Sequence, residues 1–578
     1  MAYRVYSRNL TFNPVEQVLY NRGVANSIEM DKLIHPTAES VHSPYLLNNI
    51  EWAARAVLTA IVLGHRVHTQ VDADCDGYAS AAILLNYLHR VFPATVENNF
   101  TFSVHSGKQH GIDEDRIPEG TNLVIAPDAS SNEHELHKKL FVERNILTVV
   151  LDHHQAEEDV DDNATIVNNQ MCDYPNKALC GGGIVYKFCK VLDDILGVSY
   201  ADDYLDLVSL SCVSDMMDLR DPETHFYVTN GAKNIKNIFY NKLIEKQEFS
   251  MKGEVNPFTI GWYIAPLINA ITRSGTIEEK QLIFEAFLDY RAVTSIFSNK
   301  RGAKVGEEEL LVEQAIRTAA NVKNRQERVK KDILDMILPQ AEEQANNPAI
   351  FITFDEPIDE NLNGLLANQI MGNYHKPTFV LNKCGDGTWR GSARGFESIQ
   401  VQDWRAFIEN SGCAIFAQGH PFALGCAFTE SGLADFKQEL SNVFGTDPIE
   451  PYYDIDFQYF KSDSFDFEIL ELGGMSDLWG QGLSEPVVML SGIRLDLNNV
   501  SLLGKGTLRI DIPGHETNCI KFNAEDLYNK LELLLPDNDA SITVNIIGTC
   551  AINTFRGVTK PQIKIKDIEV TQQSKWTF

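Results

Sequence analysis

Hydrophobic and polar positions follow two different periods between residues 51 and 220. Some stretches are amphipathic with the helical period, and others are short, continuously apolar runs of the kind that is typical of a buried strand. The first predicts helices over 51–63, 78–92, 133–143, 183–196 and 201–213, and the second predicts strands over 66–72, 121–127 and 146–151. Because strands that alternate with helices are typical of βαβ units, we predict an α/β domain with a mostly parallel sheet.

At 578 residues the chain is too long for a single hydrophobic core, so we expect several domains. The pattern of hydrophobic and polar positions changes after the first of them. Residues 301–345 are helical and heavily charged, as in a long connecting helix, and residues 346–450 begin with the apolar run AIFITF of a second α/β domain. Residues 451–578 contain short alternating segments such as SITVNIIGTC, which predict a small all-β domain of barrel type. We therefore predict four regions, 1–300 with an N-terminal extension, 301–345, 346–450 and 451–578.

Composition narrows the class of protein. The formal net charge of −30 argues against a surface that binds nucleic acid throughout, although a groove needs only local positive charge. No apolar run approaches the ~20 residues of a membrane span, and the start, MAYRVYSRNLTFNP, lacks the apolar core of a secretory signal. Ten cysteines without a CxxC pair fit a reducing compartment, so we expect a cytoplasmic protein with no membrane partner.

Three of the predicted strands end in acidic or imidazole side chains. VDADCDG, residues 71–77, follows the first strand, NLVIAPDASSNE contains Asp128, and ILTVVLDHHQ contains Asp152, His153 and His154. In open α/β sheets the ligand crevice lies at the carboxyl ends of the strands, so we expect these side chains to converge. Asp215, in LSCVSDMMDL, follows a predicted helix and is expected at the same crevice.

These side chains predict a metal centre without sulfur. The predicted ligands are His68, Asp72, Asp74, Asp128, His153 and Asp215. Nitrogen and oxygen donors of this kind suit Mn²⁺ or Mg²⁺, and the set is large enough for two ions with a carboxylate between them. Two such ions activate a water and stabilise the leaving oxygen of a phosphoester, which predicts phosphodiester hydrolysis. Whether His68 is a ligand or a strand histidine, and whether Asp76 joins the set, stays open.

The glycine run at 181–183 allows two interpretations. It is similar to a phosphate-binding loop, but it lacks the GxxxxGK[ST] spacing of that motif. We favour the other interpretation, a tight turn into a helix.

The motifs VDADCDG, APDASSNE, LDHHQ and CVSDMMDL resemble, in order and spacing, those of the DHH phosphoesterase superfamily. Other segments resemble the RecJ-like single-strand exonucleases within it: IVNNQMCDYPNKALCGGGIVYKF, IAPLINAITR, NRQER, WRGSARG, AQGHPFALG, LWGQGLSEPVV and INTFRGVTKPQIKIKDIEV. The resemblance covers nearly the whole chain and implies a DHH domain, a DHH-associated domain and a C-terminal oligonucleotide-binding (OB) barrel.

The resemblance also implies roles for individual residues. It implies metal binding by Asp72, Asp74, Asp128, His153 and Asp215, with Asp128 shared between the ions. It implies that Asp152 does not bind the metal itself but orients the neighbouring ligands. It places His154 and Arg273 at the scissile phosphate. Three further residues would hold the terminal nucleotide, namely Ser392, Arg394 and His420. The chain departs from the family pattern at His68, where an apolar residue is usual, at Ala393, where glycine is usual, and in AQGH, which replaces a Gly-Gly pair.

The last predicted strand, KPQIKIKD, has a basic face. By parity one face carries Lys560, Gln562, Lys564 and Lys566, and the other carries Ile563 and Ile565. A basic face opposite an apolar one fits a groove for single-stranded nucleic acid. The alternative is an edge strand that its lysines protect from aggregation.

Taken with the resemblance, the residues predict a metal-dependent exonuclease that degrades single-stranded DNA from the 5′ end and releases mononucleotides. We expect a monomer whose partners include single-stranded DNA and a single-strand-binding protein or helicase. One alternative is a DHH phosphodiesterase of short oligonucleotides or cyclic dinucleotides, although these generally lack the terminal barrel. Another is a non-catalytic replisome scaffold, although such proteins lose metal ligands.

Overall fold

The computed structural model of the chain describes residues 2–107, 109–156, 161–398, 400–445, 449–504, 506–536 and 540–574. The chain divides into two compact units. The N-terminal unit comprises Phe12–Lys323 and Gly474–Glu485, and the C-terminal unit comprises Met1–Thr11, Asn324–Gly473 and Pro486–Phe578. This division differs from the predicted regions in placing the first strand, β1 (Ala2–Val5), in the C-terminal unit.

The N-terminal unit is mostly helical around one sheet. Its strands are β2 (Val67–Val71), β3 (Phe100–Val104), β4 (Leu123–Pro127), β5 (Leu147–Asp152), β6 (Thr165–Asn168), β7 (Ser295–Phe297) and β8 (Glu308–Leu310). Its helices are α1 (Pro14–Asn21), α2 (Ser27–Ile34), α3 (Ile50–Val62), α4 (Cys75–Val91), α5 (Pro93–Asn99), α6 (His134–Arg144), α7 (Gly181–Leu196), α8 (Leu205–Ser214), α9 (Pro222–Lys233), α10 (Ile238–Met251), α11 (Pro257–Thr259), α12 (Ala265–Ser274), α13 (Ile277–Phe287) and α14 (Asp289–Ala292). All of the helices and strands predicted over 51–213 are confirmed, with shifts of a few residues at their ends.

The sheet has the strand order β3-β2-β4-β5-β6, and every described pair is parallel. Strands β2 and β4 are buried along their whole length. Strand β4 is a continuous apolar run, as is usual in a parallel sheet, whereas β2 also buries the polar residues His68, Thr69 and Gln70. The chain passes from β2 to β3 on one side and then returns to β4 on the other side. The strand order therefore reverses between β2 and β4, which is where such sheets form their ligand crevice.

The C-terminal unit holds two large sheets and one two-stranded sheet. The predicted connecting helix is confirmed as α15 (Leu311–Glu343), which crosses the division at Lys323. The following region consists of β9 (Ile350–Phe354), α16 (Glu360–Tyr374), β10 (Thr378–Lys383), β11 (Trp389–Arg394), α17 (Trp404–Asn410), β12 (Ala414–His420), β13 (Ala423–Phe428) and α18 (Glu430–Phe444). Its sheet has the order β12-β13-β11-β10-β9, and an aromatic core that includes Phe379, Trp404 and Phe436 covers one face.

The last region is dominated by strands, as predicted. It consists of β14 (Tyr452–Ile455), β15 (Phe457–Phe460), α19 (Asp466–Gly474), β16 (Val487–Leu495), β17 (Val500–Leu503), β18 (Thr507–Asp511), β19 (Asn518–Lys521), α20 (Glu525–Leu534), β20 (Ser541–Phe555) and β21 (Val558–Ser574). Seven of these strands form one sheet in the order β15-β16-β20-β21-β19-β18-β17, and β14 pairs with β1. No helix in the described ranges has the length and apolar character required to cross a membrane.

Candidate metal centre

The carboxyl ends of β2, β4 and β5 lie side by side in the sheet. Asp72 follows β2 directly, Asp128 follows β4, and Asp152 is the last residue of β5. Asp128 has a left-handed backbone with φ of 66°, a conformation that aspartate tolerates better than most residues. The reversal of strand order and the turn at Asp128 together bring acidic side chains to one edge of the sheet.

Three overlapping groups of side chains at this edge have ligand atoms close enough to share an ion. In each group the ligand atoms lie within 4.8 Å of one another, and the groups are Asp72–Asp74–Asp128, Asp76–His153–Asp215 and Asp128–His153–His154. Five of the six predicted ligands are therefore brought together. His154 and Asp76 join them, and His68 does not.

The hydrogen bonding of this cluster fits a bound cation. Asp128 is 1% exposed, yet neither of its carboxylate oxygens has a hydrogen-bond partner among the described residues. Nε2 of His153 is also buried without a partner in that part of the chain, and it lies 3.1 Å from Oδ1 of Asp128. A buried carboxyl without hydrogen-bond donors either stays protonated or is paired with a cation, so this arrangement favours a bound cation. Gly181 leaves room beside it, because a Cβ there would lie 2.3 Å from Asp128 Oδ1.

The electrostatics of the cluster lead to the same conclusion. Burial and the neighbouring carboxylates of Asp76, Asp74 and Asp72 raise the pKa of Asp128 well above its usual value. Burial and neighbouring acids also raise the pKa of Asp74 to about 6 and that of Asp215 to about 8. Carboxylates crowded in this way resist ionisation until a cation lies between them.

Asp152 is buried at the same edge but is fully hydrogen-bonded. It accepts hydrogen bonds from the backbone N–H groups of His153 (2.7 Å) and Ser131 (3.0 Å) and pairs with Nδ1 of His154 (2.8 Å). Burial alone would raise the pKa of Asp152, but these hydrogen bonds and the charge of His154 hold it below its usual value. The same pairing raises the pKa of His154 to about 9. The half-exposed His154 is therefore an imidazolium at neutral pH, suited to contact an anion.

The segment after β2 turns earlier than the predicted strand over 66–72 implies. Strand β2 ends at Val71, and Asp74 caps helix α4 by accepting a hydrogen bond from Gly77 N–H (3.0 Å). Gly77 is required at this turn, because a Cβ there would lie 2.6 Å from the Cβ of Asp72. Asp76 therefore lies in the first turn of α4 and points into the site.

The glycine run begins a helix, as we favoured. Gly181 and Gly182 lie at the start of α7 and donate backbone hydrogen bonds of 2.9 and 3.0 Å to the carboxylate of Asp76. The hydroxyls of Ser80 and Ser211 also donate to Asp76. These donors bind a carboxylate of the chain itself rather than a phosphate. Asp76 thus joins the start of α7 to the metal-ligand segment.

The structure places His68 away from the ligand cluster, which favours the strand-histidine interpretation over the predicted metal ligand. His68 lies within β2 rather than at its carboxyl end, and its ring nitrogens lie 2.9 Å from the hydroxyls of Thr101 and Ser103 on β3. Burial lowers the pKa of His68 to about 4, so the ring is neutral. Both ring nitrogens are occupied by these contacts, as expected for a strand histidine.

Sequence reasoning missed one contact of the site. Nδ1 of His110 lies 2.6 Å from Oδ2 of Asp72, and the backbone N–H of Gly111 donates to Oδ1 (3.2 Å). Both residues follow β3, a strand that was not predicted. A pattern search that had found β3 would have placed this histidine at the carboxyl edge as well.

The other predicted residues lie on different elements. Arg273 is exposed in the last turn of α12, in the N-terminal unit. In the C-terminal unit, Arg394 on β11 and His420 on β12 both lie opposite Ala423 of β13, so they share a row of the sheet. Ser392 is two residues before Arg394 and therefore on the same face.

The predicted basic face of β21 is interrupted. Lys560 is exposed and Lys564 is half-buried, but Gln562 between them is buried and donates to Asn518 (2.8 Å). The pairing of β20 with β21 also shifts near Lys566, which ends the strict alternation. The lysine side chains are thus separated from one another and do not form a continuous basic surface.

Comparison with known proteins identifies the family. Residues 65–211 match the model of the DHH family, N-terminal domain, and residues 458–567 match that of the RecJ OB domain. A prophage-derived protein of Bacillus subtilis (strain 168), named as the single-strand DNA-specific exonuclease YorK, is 31% identical over 100% of both chains. The chain belongs to the RecJ-like family of DHH proteins.

More distant members share the fold. RecJ of Bacillus subtilis (strain 168), named as a single-stranded-DNA-specific exonuclease, is 22% identical over 96% of this chain and 68% of its own length. The crystal structure of Thermus thermophilus RecJ in complex with Mn²⁺ superimposes with a TM-score of 0.70 at 18% identity, covering 98% of this chain and 79% of that one. The Mg²⁺ complex of the same protein gives a TM-score of 0.67. The RecJ-like fold therefore extends through nearly the whole chain.

Proposed function

We propose that this RecJ-like protein is a metal-dependent exonuclease that hydrolyses single-stranded DNA from the 5′ end and releases mononucleotides. The observation that carries the proposal is that the carboxylate of Asp128 and Nε2 of His153 are buried without hydrogen-bond partners in the described part of the chain, with further carboxylates around them. Membership in a family whose relatives are named as single-strand exonucleases supports the choice of substrate.

The metal centre would consist of two divalent ions, Mn²⁺ or Mg²⁺. Their ligands would be Asp72, Asp74, Asp128, His153 and Asp215. Bound ions of this kind supply an activated water and neutralise charge at a phosphoester. The protein orients these ligands, since Asp152 fixes the backbone of His153 and Asp76 fixes the start of α7.

The remaining predicted residues would position the DNA. His154, held as an imidazolium by Asp152, would donate to an oxygen of the scissile phosphate, and Arg273 would bind the same group with its planar guanidinium. Three residues of the C-terminal unit would hold the strand end, namely Ser392, Arg394 and His420. Lys560 and Lys564 would contact phosphates along the strand, with the RecJ OB match of residues 458–567 as support.

Two alternatives are less well supported. A phosphodiesterase of short oligonucleotides or cyclic dinucleotides would not require the OB region that this chain contains. A non-catalytic scaffold would not require a complete ligand set, whereas five predicted ligands converge here.

We propose that the protein acts in the cytoplasm as a monomer, with a single-strand-binding protein or helicase as partner. All ten cysteines lie in the described ranges, and none forms a disulfide there, which fits a reducing compartment. The ligands of the metal centre all come from one chain, so a second copy is not needed to complete it. Light scattering of the purified protein tests the monomer.

One assay tests the activity. Single-stranded DNA, RNA and dinucleotides, labelled at the 5′ or the 3′ end, are incubated with Mn²⁺, Mg²⁺ or chelator, and the products are sized over time. We expect 5′-labelled DNA to release labelled mononucleotide at the earliest times and 3′-labelled DNA to shorten gradually, only with metal. Cleavage confined to dinucleotides would favour the small-substrate phosphodiesterase, and no hydrolysis with either metal would favour the scaffold.

Two arginine variants test the proposed division of roles. Arg273→Ala should lower kcat by about 10²–10³-fold with little change in KM, because Arg273 is assigned to charge that develops on the scissile phosphate. Arg394→Ala should mainly raise KM, because strand-end binding contributes equally before and during the reaction. A change confined to KM in both variants would contradict the role assigned to Arg273.

A further inference from the structure

A second cluster of metal-ligating side chains lies in the N-terminal unit, formed by residues that the proposed reaction does not use. It consists of His134 and His137, one helical turn apart at the start of α6, and Asp161, in the segment between β5 and β6. We propose that these three side chains form a second metal site, which takes a single transition-metal dication of the Zn²⁺ class.

The geometry of the cluster is close to that of a coordination site. Nδ1 of His134 lies 3.1 Å, and Nδ1 of His137 lies 2.5 Å, from the same Oδ2 of Asp161. In a tetrahedral Zn²⁺ site, bonds of about 2.0–2.2 Å place neighbouring nitrogen and oxygen ligands about 3.3 Å apart. The ligand atoms would therefore have to separate by less than about 1 Å to accept the ion.

The burial of these groups favours a cation between them. The side chains of Asp161 and His137 are 1% and 0% exposed. Nε2 of His137 has no hydrogen-bond partner among the described residues, and Nδ1 of the same ring faces Asp161. Besides the imidazoles, the backbone N–H (2.8 Å) and the side-chain amide (3.4 Å) of Asn163 donate to Oδ1 of Asp161 without adding charge. A buried carboxylate in these surroundings is stabilised by a bound cation.

The surface beside the cluster favours the same class of ligand. His134 and Asp161 border a solvent-open cavity of about 670 Å³, whose other lining residues include Glu133, Glu135, Asp162 and Lys138. The excess of acidic groups attracts cations. Three protein ligands and an open side match a Zn²⁺ site whose fourth position is taken by water.

Hydrogen bonds connect this cluster to the turn that holds the first site. Just before α6, Ser131 N–H donates to Asp152, and the Asn132 side chain donates to Gln155 O (3.0 Å). An ion that joins α6 to Asp161 would stabilise both ends of this connection. We therefore expect the second metal to hold α6 to Asp161 beside the first site without taking part in its reaction.

The test measures metal binding by the full-length protein in an Asp128→Asn background, which weakens the first site. Co²⁺ serves as the probe, because four-coordinate Co²⁺ absorbs visible light strongly and six-coordinate Co²⁺ absorbs weakly. We expect one equivalent of strongly absorbing Co²⁺ that Zn²⁺ displaces. In His134→Gln its affinity should fall by more than about 100-fold, since even groups that only orient a ligand change affinity about 10–100-fold.

Two further variants make the result decisive. Glu135→Gln removes an acidic group from the same cavity without removing a ligand, so it should retain the Co²⁺ signal. Asp161→Asn is nearly isosteric and should lose the signal, and it replaces His134→Gln if that variant fails to fold. Absence of a strongly absorbing species, or equal affinity in the ligand variants and Glu135→Gln, would overturn the proposal. Because the readout is binding rather than hydrolysis, it can fail independently of the exonuclease proposal.

Discussion

Asp128 and Asp152 lie at the ends of neighbouring strands and are equally buried, yet their surroundings are opposite. Asp152 accepts hydrogen bonds from Ser131 and His153 and pairs with His154, whereas the oxygens of Asp128 have no partner in the described structure. The pKa of Asp152 is lowered and that of Asp128 is raised. In this site, an acid with a full set of donors orients its neighbours, and an acid without donors is available to a metal ion.

Substitution of Asp128 should give the largest effect. Asp128→Asn should lower the rate of DNA hydrolysis on the order of 10³-fold, because a neutral amide cannot hold two dications together. The metal-free variant should be at least as stable as the wild type, since the change removes a charge from a crowded cluster. Hydrolysis rates and thermal melts in chelator measure the two effects.

Asp115→Asn is the matched control for this variant, because Asp115 is exposed on a different segment of the same unit. It should leave both the rate and the melting temperature unchanged. Near-normal hydrolysis by Asp128→Asn would contradict the assignment of Asp128 as a ligand shared by two ions.

Substitution of Asp152 should give a smaller loss. Asp152→Asn should reduce activity about 10–100-fold, the usual cost of losing a group that orients a ligand. It should also lower the pKa of His154 from about 9 towards the usual 6.5, since the negative partner that raises it is gone. NMR titration of the His154 ring measures this shift, and an unchanged pKa would show that Asp152 does not control that ring.

Asp76 is intermediate between the two cases, because it accepts four hydrogen bonds and also lies 3.6 Å from His153 Nε2. Asp76→Asn should reduce activity about 10-fold and stability by about 1–3 kcal/mol, since an amide has only one oxygen for the donors of Gly181 and Gly182. Activity assays and urea unfolding measure these effects, with Ser80→Ala as the control that removes one donor and keeps the charge. A loss as large as that of Asp128→Asn would make Asp76 a metal ligand.

The contrast between these acids also explains how far the sequence could predict the site. Apolar runs located the ends of β4 and β5 correctly, so Asp128, Asp152 and His153 were placed at the right edge. After β2 the carboxylates occupy every second position, as on one face of an extended strand, but Asp74 before an apolar helical stretch is also a helix-capping signal. That signal would have placed Asp76 in the first turn of α4.

Other features depend on contacts that a single sequence does not reveal. The partners of His68 are Thr101 and Ser103, which belong to an edge strand whose pattern was too weak to predict. The lack of hydrogen-bond donors around Asp128 is a property of the packed site. The roles of Arg273, Ser392 and Arg394 came from family resemblance alone and remain predictions.

The smallest expected effect tests the electrostatic side of the comparison. In the metal-free protein the pKa is about 6 for Asp74 and about 8 for Asp215, and that of Asp128 is also raised, whereas an unfolded aspartate titrates near 3.9. At a pH between the unfolded and the folded pKa values, the folded state binds more protons than the unfolded state. The free energy of unfolding should therefore fall as pH rises from about 5 to about 8. With chelator, the melting temperature of the wild type should therefore decline with pH more steeply than that of Asp128→Asn, by a few degrees. Mn²⁺ should flatten the slope of the wild type, because the bound ion keeps the carboxylates ionised in the folded state. Parallel slopes for the two proteins in chelator would show that the acids of this site do not repel one another as the geometry implies.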